Sequence, residues 1–303
     1  MIKRALRAAF HSSGALAAAR WLKRGRLRIL MYHRFHERRD IERQCRHIRA
    51  HYTPVSLTEA ANWLESGGWP PNALAVTVDD GYRDFYQVAY PVFREYGIPA
   101  TVYLVSDFLD GREWLWLDRV RWMFLHSPKI PGTREQRLRA ALAANEKAKR
   151  LPNQERLAWL RALPGEMGVE PPEACPEQYA PMTWEQVREA AAHGIDFGGH
   201  TRSHPVLSML SGEPELTAEI AGSKRRIEEQ LGKPVEHFCY PNGSLSDFTD
   251  AAVKVVRAAN FRTATTTVPG LVLPAADAFR LSRLGVDPIY DDRYFAECAA
   301  GLH

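Results

Sequence analysis

The chain has 303 residues, 45% of them hydrophobic and 25% charged, with a formal charge of +4. That length admits one large α/β domain with insertions or two smaller domains, either able to bury a real core. The composition excludes a disordered chain and a disulfide scaffold, so function must rest on particular residues.

The positive charge is uneven. Lys3, Arg4, Arg7, Arg20, Lys23, Arg24 and Arg26 crowd residues 1–26, and no apolar run there approaches the roughly 18 residues of a membrane span. Arg20, Lys23 and Arg24 fall where the apolar stretch of a secretory signal would continue, which predicts cytoplasmic residence. The segment reads either as a basic amphipathic helix peripheral to the inner membrane face or as a solvated helix packed on the domain. Cys45, Cys175, Cys239 and Cys298 form no C-x-x-C pair and fit a reducing compartment. The basic residues are not interleaved with a recognition motif, which argues against a nucleic-acid partner.

In chain order, the apolar run 27–32 predicts a buried strand ending at His33, followed by a helix over 41–50. Ser56-Leu-Thr-Glu59 has capping-box spacing and opens a helix through Leu64 that Gly67-Gly68 closes. Residues 74–78 form a β-branched strand running into Asp79-Asp80-Gly81; a helix over 85–96 stops at Gly97, and 100–105 is again a strand. From about 107 to 182 the alternation breaks into an aromatic stretch (Trp114, Trp116, Trp122), then helical and basic sequence, then Pro171-Pro172. We read this as an insertion. Its tryptophans suit either sugar stacking or a small satellite core. Thr183-Trp-Glu-Gln186 is a second capping box, and its helix ends near His193-Gly194 ahead of a short strand into Gly198-Gly199-His200. A helix over 213–231, a strand over 237–240, a helix over 247–259 and a strand over 261–265 complete the pattern. Repeated strand-helix units imply a parallel sheet, open or closed into a barrel. The expected organisation is a basic segment 1–26, a domain 27–290 containing the insertion, and a tail 291–303.

His33, Asp79-Asp80, His200 and Tyr240-Pro-Asn-Gly243 each fall at the C-terminal end of a predicted strand, the edge where parallel α/β folds build sites. His200-Thr-Arg-Ser-His204 places two imidazoles where one helical turn or a tight loop aims both at one ion. Alone, such a pair is more often a surface or core-edge feature, and Asp79-Asp80 alone commonly caps a helix. Together they supply one carboxylate and two imidazoles with positions left open, the pattern of a catalytic rather than a structural metal site. Zn²⁺ suits such ligands best, and Co²⁺, Ni²⁺ or Fe²⁺ could occupy them. The remaining carboxylate is a base candidate beside the metal.

These residues match a family. Val76-Thr-Val-Asp-Asp-Gly81 resembles the first motif of the NodB-type polysaccharide deacetylases (carbohydrate esterase family 4). His200-Thr-Arg-Ser-His204-Pro205 is similar to their second motif, and Phe238-Cys-Tyr-Pro-Asn-Gly243 to the third. Leu30-Met-Tyr-His33 resembles the amino-terminal element of the poly-N-acetylglucosamine deacetylase-like branch. The resemblance implies a distorted (β/α) barrel with a helical insertion and hydrolysis of acetamides on N-acetylhexosamine units of a polysaccharide or lipid-linked glycan precursor. It implies Asp80, His200 and His204 as metal ligands, Asp79 as base, the Tyr240 N–H as oxyanion donor and His33 as the acid for the leaving amine. The third motif lacks the arginine that many relatives use to orient the base, and no clear L-x-H motif lies near the carboxyl end. Arg283 is the candidate for the first place, its alternative being a strand-end surface arginine, and His33 for the second. Two other readings stay open: a catalytically silent carbohydrate-binding or assembly subunit on the same scaffold, and a deacylase for another small acyl group.

Overall fold

Eight strands alternate with helices in the computed structural model, which describes residues 13–66 and 68–303. Lys3, Arg4, Arg7 and Gly67 lie outside the described residues. The strands are β1 (Arg28–Tyr32), β2 (Thr53–Pro54), β3 (Ala73–Val78), β4 (Ala100–Leu104), β5 (Ile195–Gly199), β6 (His237–Cys239), β7 (Thr263–Pro269) and β8 (Leu281–Gly285). All their pairings are parallel. The order runs β1-β8-β7-β6-β5-β4-β3, and pairing of β1 with β3, from Arg28↔Leu74 to Tyr32↔Val78, closes the ring. β2 lies outside the closure, attached to the start of β3 before β4 begins to pair at Val76. Of the two arrangements open to a parallel sheet, the closed barrel is the one formed.

The alternation along each strand explains how one chain covers two surfaces. Leu30 and Tyr32 of β1, Leu74, Val76 and Val78 of β3, and Val102 and Leu104 of β4 join the large core shared with the surrounding helices. Their neighbours Ile29, Ala73, Ala75, Tyr103, Cys239 and Leu281 fill the interior as a second cluster. Barrel closure leaves little room at β5: a Cβ on Gly198 would lie 2.5 Å from the Tyr103 ring and 2.7 Å from the His237 carbonyl oxygen.

β8 lies beyond the strands expected from the pattern, because beside Leu281 its other interior residue, Arg283, is a buried arginine rather than an apolar residue. The threonine-rich β7 extends to Pro269 instead of ending at 265, and β6 stops at Cys239, one residue before Tyr240. The final helix, Asp292–Ala299, is capped by Asp291 and buries Phe295 and Ala299. Arg28 reaches it from β1, its Nε donating to the Ala299 carbonyl at 3.0 Å.

Helices Trp116–His126, Arg134–Ala148 and Asn153–Met167 form most of the insertion. Trp116, Val120, Met123, Phe124, Ala141 and Leu163 bury one another in a separate small core. Trp114 packs edge-on against Trp122, which stacks on His126. Trp116 and Trp122 thus join the small satellite core, while Trp114 packs between Trp122 and Tyr179. Among the described residues no helix is long and apolar enough to cross a membrane.

Candidate metal centre and active site

The rim at the C-terminal ends of the strands is built by extending the sheet. Asp79 continues the β3–β1 ladder, its N–H donating to Tyr32 O at 2.9 Å, and His200 continues β5, its N–H donating to Leu104 O at 2.9 Å. The chain then breaks away from each strand through unusual backbone. Asp80 takes φ 76°, Thr201 φ 67° and His204 φ 58°, conformations that cost L-residues energy and persist only where the surroundings impose them.

Those turns bring the predicted ligands together. Candidate ligand atoms of Asp80, His200 and His204 all lie within 4.8 Å of one another, and all three residues are buried. From Asp80 Oδ1 it is 3.6 Å to His200 Nε2 and 3.5 Å to His204 Nε2. The histidine pair sits on a tight loop, not a helical turn. Thr201 Oγ1 accepts the His204 N–H at 3.0 Å, and Glu219 accepts the N–H groups of Arg202 and Ser203 at 2.9 and 3.0 Å. His200 Nδ1 meets the Cys239 carbonyl at 2.7 Å; a carbonyl only accepts, so Nδ1 carries the proton and the Nε2 lone pair faces Asp80.

Burial lowers the pKa of His200 to about 4 and that of His204 well below its ordinary value, so both rings are neutral at pH 7. Burial, and then the neighbouring Asp79 charge, raise Asp80 well above the carboxylate range. This cluster thus offers one oxygen and two neutral nitrogen donors with no cation of its own, a donor set that fits a divalent metal. A second grouping, Asp79, His200 and Cys239, is equally compact. It does not fit, since burial keeps the Cys239 thiol protonated and Asp79 is already engaged.

Asp79 is held from below by Arg283. The guanidinium donates to Asp79 Oδ1 at 2.7 Å and Oδ2 at 2.8 Å, and its other N–H groups reach Thr266 O, Thr77 Oγ1 and Cys239 Sγ. Both charged groups are buried. Burial opposes the charge on Asp79, but Arg283 overrides it and holds the carboxyl well below its usual range. Arg283 is therefore an interior residue and not a surface strand end. His33 stands exposed at the rim, its Nε2 3.6 Å from Asp79 Oδ2.

Tyr240 is buried, its ring stacked on Phe248 and its hydroxyl donating to Phe279 O at 3.0 Å. Its N–H, the donor expected for an oxyanion, instead donates to Thr265 O at 3.2 Å. Asn242, with φ 60°, follows in the same turn, and its N–H makes no hydrogen bond among the described residues.

Sequence reasoning missed the supports: Thr77, Cys239, Glu219, Trp116 and Asp118. Thr77 carried a usable signal, being the one polar residue in the otherwise apolar 73–78 run. The others make contacts that no local pattern encodes.

The chain belongs to the polysaccharide deacetylase family, whose pattern it matches over residues 67–264. Deacetylation of polysaccharide is thus the reaction class and an acetylated glycan the substrate class. YxkH of Bacillus subtilis (strain 168), whose name assigns it to the polysaccharide deacetylases, is 22% identical over 280 residues, covering 88% of this chain and 75% of that protein. The poly-beta-1,6-N-acetyl-D-glucosamine N-deacetylase of Staphylococcus epidermidis is 27% identical over 73 residues, 24% of this chain and 25% of its own. Among solved structures, IcaB from Ammonifex degensii is similar with a TM-score of 0.63 at 21% identity, covering 92% of this chain and 98% of that one.

Proposed function

We propose that this protein is a metal-dependent N-deacetylase acting on N-acetylhexosamine units of a polysaccharide or of its lipid-linked precursor. The observation that carries the proposal is the Asp80, His200 and His204 cluster: a buried, cation-deficient donor set directly beside an ionised, arginine-held carboxylate. The name of the Staphylococcus epidermidis relative supports the sugar.

Asp80, His200 and His204 would hold the cation, which supplies a Lewis acid that acidifies water and polarises the acetamide carbonyl. Asp79 accepts the proton of the attacking water. Its Oδ2 faces His33, and Arg283 keeps it ionised before the attack and fixed in orientation. The developing oxyanion is assigned to the turn after β6, with the Tyr240 N–H as its donor once that group leaves Thr265 O and the N–H of Asn242, which makes no hydrogen bond among the described residues, as the second candidate. His33, exposed at the rim and close to Asp79, delivers a proton to the departing nitrogen.

The test is acetate release from N-acetylglucosamine oligomers by chelator-stripped protein before and after Zn²⁺ is restored, alongside O-acetylated and N-formylated oligomers. Zinc-dependent release from the N-acetyl substrate is expected. Equal rates with stripped protein would overturn the metal assignment, and cleavage confined to the other acyl groups would overturn the substrate.

A further inference from the structure

Segment 107–182 contributes nothing to the chemistry just described, yet both of its ends hold the loops that carry the ligands. At its entrance Trp116, itself buried, donates its Nε1–H to the carbonyl oxygen of His204 at 3.0 Å. Asp118, also buried, accepts the hydroxyl of Tyr82 at 2.5 Å and is secured by Arg121 at 2.6 Å. At the exit the insertion forms a short antiparallel bridge with the same first-motif loop: Arg83 N–H donates to Ala180 O at 2.9 Å, and Met182 N–H to Gly81 O at 3.0 Å.

The gripped backbone is the strained backbone. Asp80, Thr201 and His204, with their positive φ values, lie in the loops so tied. Strained turns relax unless something outside them fixes their geometry. We infer that the insertion is a clamp on the metal centre, in which Trp116 and Asp118, on the first turn of one helix, tie the His204 loop to the Asp80–Tyr82 loop and set the separation of the ligands. Further along that helix, Val120, Met123 and Phe124 bury its apolar face in the separate small core, away from the two hydrogen bonds that tie the loops. Trp116 and Asp118 are thus positioning residues, and the inference rests on the reading that Asp80, His200 and His204 hold a cation.

The experiment measures Zn²⁺ affinity of the full chain by competition with a chromophoric chelator, together with Tm, for wild type, Trp116→Phe, Tyr82→Phe and Val120→Ala. Supporting residues around metal ligands typically govern affinity by about 10–100-fold. Trp116→Phe and Tyr82→Phe should each weaken Zn²⁺ binding about tenfold or more and lower kcat more than they change KM at saturating metal. Val120→Ala, which opens a cavity in the same small core without touching either loop, should lower Tm and leave the affinity unchanged. Wild-type affinity in both Phe variants, or an equal loss in Val120→Ala, would overturn the clamp. Wild type that binds no Zn²⁺ would overturn the metal reading itself, and is scored before any variant. Should Trp116→Phe fail to fold, Tyr82→Phe, which loses a single hydroxyl, carries the test alone.

Discussion

Asp79 and Asp80 are chain neighbours, both buried, and their surroundings are opposite. Around Asp79 the protein has finished the electrostatics itself: Arg283 meets both carboxylate oxygens, and its remaining N–H groups are taken by Thr77, Thr266 and Cys239. Around Asp80, among the described residues, no cationic side chain pairs directly with the carboxylate; its closest partners are two imidazoles that burial keeps neutral, and the Arg34 and Arg283 charges offset burial only in part. Burying an unpaired carboxylate is costly, and folds tolerate it where a ligand completes the site. The difference matches the proposed division of labour: one carboxylate rests ionised against Arg283 and is free to act as base, and the other is the candidate ligand for a cation.

Removing Asp80 should separate the halves most sharply. Asp80→Asn is expected to abolish Zn²⁺ binding and acetate release together, while the metal-free protein melts a few degrees higher than wild type at pH 7. The sign follows from the raised pKa: a carboxyl that resists ionisation in the native state costs stability at every pH above its unfolded value. Calorimetry of chelator-treated samples decides it, and a lower Tm would mean that Asp80 is already compensated within the protein. Asp79→Asn should do the reverse, retaining Zn²⁺ and losing about 10²–10⁴ in kcat, the range for a general base. Near-wild-type turnover in that variant would move the base elsewhere. Smaller again is the effect of Arg283→Met, which strands the Asp79 charge in the interior; breaking a buried pair in this way costs about 3–5 kcal/mol. Urea unfolding measures it, and a loss below about 1 kcal/mol would show that water replaces the guanidinium.

The same contrast governs how much was legible beforehand. Asp79, Asp80, His200 and His204 stood out because polar residues abruptly follow apolar, strand-like runs, and the strand-end rule alone placed them on one rim. Barrel closure was not legible in the local pattern, since it depends on pairing between β1 and β3, distant in the chain; the expectation of a barrel came from the family resemblance, and the structure bears it out. β8 was hidden for a related reason: one of its interior residues is charged, and Arg283 is at home there only because Asp79 arrives from β3, on the other side of β1. The hydrogen bond from the Tyr240 N–H to Thr265 O was equally hidden, because it depends on the register of β6 against β7. Local pattern thus exposes residues whose chemistry is unusual for their position, while residues that acquire a role from a distant partner stay invisible.

A buried histidine away from the rim gives the smallest test. His237 opens β6, at the opposite end of the barrel from the metal centre, with Nδ1 2.9 Å from Thr263 Oγ1 and Nε2 3.0 Å from Thr58 Oγ1. Burial first, and then the Arg262 and Lys224 charges, lower its pKa to about 3. The unfolded chain titrates this ring near its ordinary value of about 6.5, so between those values the unfolded state takes up a proton that the native state refuses. Stability from this residue is therefore complete above about pH 6.5 and is lost progressively as the pH falls toward 3. At pH 5 the loss is about 2 kcal/mol, at about 1.4 kcal/mol per pH unit. Comparing metal-free wild type with metal-free His237→Gln cancels the contributions of His200 and His204, which lie at the other end of their strands. The variant should be the less stable at pH 7.5, and its stability should fall less steeply between pH 7 and pH 5, by about 2 kcal/mol over that interval. Parallel curves from denaturant titrations at the two pH values would show that His237 accepts its proton without unfolding the barrel, and that water reaches the interior from that end.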